Sequence, residues 1–270
     1  MVTHGLRITL LSLLLCVAGL AHSNDTAKDL RHLHNVQLDL LEVASQFHRF
    51  QGSEGNKKYY LSITSKLDDL RNALSESEAA LNRYTLAPEA QAIKDNSQLY
   101  LQNLNTALSS IRNGGFADFS VIDAYLSAND AMLKSLKQGY TAIASTGSYK
   151  VPPLVIALRD QTLLMQRMYA KYIEVSASQF GYTPRTDQEN VETLDQLAAR
   201  FSNDLEKLKA NIPVNSPYAS RISDVKTKWL FLEKSFLNYN EKTVPYLITK
   251  FGKQIISELS GIADDMESTS

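Results

Sequence analysis

All seven prolines of this chain stand where a helix would have to start or stop, and between them apolar residues recur three and four apart through eight successive segments. Proline lacks the N–H that an inner helical turn needs, and its ring collides with the turn before it, so a helix tolerates it only at its ends. Spacing of three and four lays one apolar stripe along a helix, and that stripe must be covered by other helices. An all-α array follows. Pro152 and Pro153, near the midpoint, divide the segments into four and four. We therefore expect two tandem antiparallel up-down four-helix bundles, residues 24–148 and 149–270, behind a leader at 1–23, because short connections force neighbouring helices antiparallel.

The expected helices follow from their stripes. The first runs from Thr26 to Gln51 on Val36, Leu40, Val43, Phe47 and Phe50, and stops at Gly52-Ser53-Glu54-Gly55. The second uses Tyr60, Ile63, Leu67, Leu70, Leu74, Leu81 and Tyr84. Pro88 opens the third, which buries Leu101, Leu104, Leu108 and Ile111 and ends at Asn113-Gly114-Gly115. Asp118 is the expected N-cap of the fourth, on Ile122, Leu126, Leu133, Leu136, Tyr140 and Ile143. The fifth opens at Pro152-Pro153 and ends near Gly181 and Pro184. Thr186 followed by Glu189 reads as a capping box for the sixth. Pro213 and Pro217 bracket the next turn, Trp229 centres the seventh helix, and Pro245 opens the eighth. The matching order of helices and loops leads us to expect an internal repeat.

The leader has the three parts of a secretion signal: Arg7, an apolar run from Ile8 to Val17, and small residues that place cleavage near Ala21 or Ser23. The run is well short of the roughly 20 residues that span a bilayer. Leu15 before Cys16 does not fit a lipoprotein signal. Cys16 is the only cysteine, so cleavage would leave a chain without disulfides, thiolate metal ligands or a cysteine nucleophile. Removing Arg7 leaves 27 basic residues against 29 acidic ones, a net charge of −2 that gives no reason to invoke nucleic acid or an anionic membrane. A periplasmic location is expected, with an extracellular one as the alternative.

Catalytic patterns are missing from the sequence. There is no G-x-S-x-G, no phosphate-binding glycine loop, and no Glu-x-x-His of a di-iron bundle. His32, His34 and His48 all lie in the first expected helix, and His32 and His34 point to different faces, so solvated or half-buried side chains are expected rather than a metal site. We expect no enzyme, no metal and no cofactor. Asn129 in the fourth helix and Gln161 in the fifth interrupt apolar stripes; they either fix register or line a ligand cavity. Tyr169, Tyr172, Tyr239 and Tyr246 are expected in the core with hydroxyls at the rim.

One run carries more. Leu163-Leu164-Met165-Gln166-Arg167-Met168 in the fifth helix resembles the opening helix of the PilJ-type sensory domain, whose signature is an N-x-A-G-x-Q-R-M run. Gln166, Arg167 and Met168 match it; Leu163-Leu164 replace its small pair and Gln161 its asparagine. The similarity covers roughly residues 153–267. It implies a sensory four-helix bundle in the second half, with Arg167 meeting a nitrate-like anion at a dimer seam, which suits the planar fork of donors of an arginine. When the helix ends are aligned, Glu42 falls opposite Arg167 in the first half, a charge reversal against a second anion site. No second apolar span follows the second bundle, so a free-standing module is expected. Arg167, Gln161, Gln166 and Asn129 are thus the candidate ligand-binding residues. Two functions stay open: a module that recognises a small, anionic ligand or presents a bundle face to a membrane receptor, and a structural or adaptor protein whose helices bind other proteins. A dimer is open in either case.

Overall fold

In the computed structural model, described here over residues 3–147, 149–177, 192–239, 241 and 243–269, with side chains from Asp25 onward, the described residues form eight α-helices. They are α1 (Thr3–Gly52), α2 (Lys57–Arg83), α3 (Ala87–Gly114), α4 (Phe119–Thr146), α5 (Pro153–Ala177), α6 (Leu194–Asn211), α7 (Tyr218–Leu237) and α8 (Pro245–Ser268). The helix stops work as the sequence suggests. Gly115 ends α3 in the left-handed region at φ +78°, and its N–H bonds the Ile111 carbonyl. Asp118 stands at the N-cap position of α4, although its side chain makes no capping hydrogen bond, and prolines stand in the first turns of α3, α5 and α8.

Two boundaries differ. α1 begins at Thr3 rather than Thr26, because the leader offers neither a proline nor a cap strong enough to interrupt an alanine- and leucine-rich run. α6 begins at Leu194, where the Thr193 N–H donates to Gln196 Oε1 at 2.9 Å, the return bond of a capping box. The expected box at Thr186 and Glu189, and the expected end of the fifth helix at Gly181 and Pro184, lie outside the described residues.

The apolar core divides in two. One cluster runs from Leu30 to Ile143 and the other from Val155 to Ala263. Within each, neighbours in sequence are neighbours in space and the fourth helix returns to the first, so both halves are antiparallel up-down four-helix bundles. Tyr100 and Tyr125, which the stripes passed over in favour of Leu101 and Leu126, are fully buried and lie 5.9 Å apart, ring centre to ring centre. Tyr169 and Tyr172 are core residues, whereas Tyr246 is on the surface.

The bundles lie side by side rather than end to end, joined along α1 and α5. These two helices run parallel. Glu42 meets Gln166, and Gly52 meets Ala177, so residues 124 or 125 apart in sequence sit at the same height. Gly52 is needed for this approach, since a Cβ there would come within 2.6 Å of the Ala177 Cβ. First helix against first helix, in parallel and in register, relates the two bundles by an approximate half-turn about the seam. Charged and polar residues of α1 thereby become interior: Gln37, Gln46, His34 and His48 are all buried. Two of the three histidines expected to be solvated or half-buried are therefore buried, because the seam covers a second face of α1.

Candidate functional site

A half-turn about the seam leaves two grooves. α4 and α6 flank one, and α2 and α8 flank the other. The first holds a cavity of about 800 Å³ lined by α1, α4, α5 and α6, and a second of about 460 Å³ adjoins it higher along the seam. Arg167 and Lys137 border both cavities. Among the described residues neither side chain makes a hydrogen bond or an ion pair. Five cations line the larger cavity, Lys137, Arg159, Arg167, Arg200 and Lys207, against two carboxylates, Asp160 and Asp204.

Most of those charges are already answered. Lys207 pairs with Asp204 at 2.8 Å and Arg200 with Glu192 at 2.7 Å. Arg159, 4% exposed, pairs with Glu267 of α8 at 2.8 Å under the cavity floor. Arg167 and Lys137 remain, with Asp160 in the field of both. Arg167 is solvent-exposed yet overhung by the groove walls; those surroundings and the nearby Arg200 guanidinium hold its pKa below the ordinary arginine value, without neutralising it. Burial, the largest influence, raises the Asp160 pKa. The cation whose charge acts on Arg167 is Arg200, and the carboxylates of Asp130, Glu192 and Asp160 act against it.

Unpartnered buried atoms belong to residues that line the same groove. Gln161 donates from Nε2 to the Phe201 carbonyl at 3.0 Å, while its Oε1 has no hydrogen-bond partner among the described residues. The same is true of His34 Nε2 at the floor of the larger cavity and of Asn129 Oδ1 in the smaller one. Burial, then the charge of Arg159, lowers the His34 pKa to about 3, so the ring is neutral at physiological pH. A buried polar atom left without a partner costs stability, and a native protein keeps such atoms for a reason.

The opposite groove is closed from within. Glu42, at the height of Arg167, accepts from Lys253 Nζ at 2.7 Å, from Gln46 Nε2 at 3.0 Å and from Gln166 Nε2 at 3.4 Å. Although burial alone would raise it, the hydrogen bond and charge of Lys253 bring the Glu42 pKa below the usual value. A lysine from the fourth helix of one bundle thus holds a carboxylate from the first helix of the other.

Of the four residues singled out from sequence, Arg167, Gln161 and Asn129 line the α4–α6 groove, and Gln166 does not; it is 3% exposed and turned to Glu42. Lys137 and His34 were missed. Lys137 stands two turns beyond Asn129 on one face of α4, and following that face would have found it. No such signal marks His34, whose place depends on the packing of α1 against α5. Among the described residues no cluster of three or more histidine, cysteine or acidic side chains suits a metal ion. Comparison with family models, curated proteins and solved structures finds no match to this chain.

Proposed function

We propose that this chain is an exported binding module that holds a small anionic ligand in the groove between its bundles, with Arg167 and Lys137 as the anion-binding residues and Gln161 and Asn129 as hydrogen-bonding ones. The observation that carries this reading is the pair of unpartnered cations at the junction of the two cavities, set against an opposite groove where Glu42 supplies the anion from within the chain. The similarity of Gln166-Arg167-Met168 to the PilJ-type run supports a sensory role, and the leader supports a periplasmic one. Ligand-bound modules of this kind would present a bundle face to a membrane receptor. A cavity of about 800 Å³ has the size of a small-molecule site.

The adaptor reading rests on a different observation. Phe116 and Phe119, at the turn between α3 and α4, are 70% and 76% exposed and could engage a protein partner. A thermal-shift screen of small anions at fixed ionic strength separates the two, since a ligand that binds only the folded state raises the melting temperature. The expected result is a stabilising anion whose effect is lost in Arg167→Ala, a loss in affinity of roughly tenfold or more for a charge-assisted contact. Equal stabilisation of both proteins, or no stabilising anion, would leave the adaptor reading ahead.

A further inference from the structure

One wall of the larger cavity, along α5, is apolar, while Tyr140, Thr141, Lys207 and Asn211 are among the residues of its other walls. Leu154, Ala157 and Leu164 of α5 line it, Leu208 of α6 closes it, and Ile156 at its margin is 43% exposed. Ala157 and Arg167 are ten residues apart on one helix, about 15 Å along its axis. Arg167 therefore stands at one end of an elongated apolar strip. An inorganic oxyanion would fill a small part of about 800 Å³ and leave that strip wet. On the far side of the seam the group that a fourth-helix lysine holds is a carboxylate, that of Glu42.

Resting on the anion-site reading above, we infer that the ligand is an elongated organic carboxylate, its head at Arg167 and its apolar body along Leu154, Ala157, Leu164 and Leu208. Such a ligand satisfies the charge of Arg167, covers the strip and leaves neither charge nor apolar surface exposed. Nitrate and sulfate satisfy only the first.

Calorimetric titration of the full chain with sodium acetate, butanoate and octanoate, and with nitrate and sulfate, at constant ionic strength tests this. A fully buried methylene tightens binding by about fourfold. A half-covered strip therefore gives octanoate an advantage of well over tenfold on acetate. Ala157→Phe fills the strip and should reduce octanoate to the level of acetate while leaving acetate unchanged. Ile156→Asn, at an exposed position that cannot disturb folding, should weaken octanoate alone. If all the probes bind equally and Arg167→Ala weakens each of them, the organic class is wrong and the anion site stands. Octanoate binding that ignores Arg167→Ala would overturn both, as would no binding by any probe.

Discussion

The pair Arg159 and Glu267 joins α5 to the last turn of α8 under the floor of the groove, and it is the most demanding electrostatic contact in the protein. Both side chains are 4% exposed and their charged atoms are 2.8 Å apart. Glu267 also accepts from Tyr149 Oη at 3.3 Å and lies 3.8 Å from Arg31, while Tyr140 Oη is 3.5 Å from Arg159. Neither ion can return to water without the backbone moving. Glu267→Ala therefore strands a buried guanidinium, at a cost of about 3–5 kcal/mol. The double change Arg159→Met with Glu267→Leu removes both charges and keeps the volume, and should recover most of that loss, because an isolated charge is what the interior rejects. Urea unfolding of the two variants and the parent gives the three stabilities. A Glu267→Ala cost below about 1 kcal/mol would be the value of a solvated surface pair and would refute the burial argument.

Two further outcomes follow from the seam. His34 is neutral in the fold, with a pKa of about 3, and takes up a proton near 6.5 when unfolded. The unfolded state therefore binds more protons as pH falls below 6.5, and the fold loses about 2 kcal/mol from this residue between pH 7 and pH 5. His34→Gln should lack that portion of the acid sensitivity, read as a smaller drop in urea midpoint across the same range; an identical drop would show that His34 is solvated. Glu42→Ala removes the internal carboxylate but leaves Lys253, Gln46 and Gln166 as its cradle. Added acetate should then raise the melting temperature of this variant beyond its effect on the parent, and an equal response would mean that the cradle does not hold a carboxylate.

The fold was legible because its signals are local. Proline and glycine positions mark the turns around Pro88, Gly115 and Pro153, and the three-four spacing marks the core. Those rules depend on a few neighbouring residues, and they failed mainly where local signals were weak: at the leader, which continues α1 unbroken, and at the start of α6, where Thr193 and Gln196 form the cap. The site was legible in part. Arg167, Gln161 and Asn129 stood out as polar residues on or beside apolar stripes, and the structure gathers them in one groove. Gln166, adjacent to Arg167 in sequence, points some 100° away around the helix and serves the opposite groove. His34 and Lys137 stayed hidden because they belong to the site only once the two bundles lie side by side, and a helical stripe says which face is buried without saying against what.

The number of anion sites per chain is the most direct test of the central claim. The two grooves are related by a half-turn; in one Glu42 accepts from Lys253, whereas in the other the Arg167 side chain has no ion pair among the described residues. Calorimetric titration of the full chain with a stabilising carboxylate should give one site per chain, abolished or weakened at least tenfold by Arg167→Ala or Lys137→Ala. Two equivalent sites, or one site whose affinity ignores both substitutions, would contradict it.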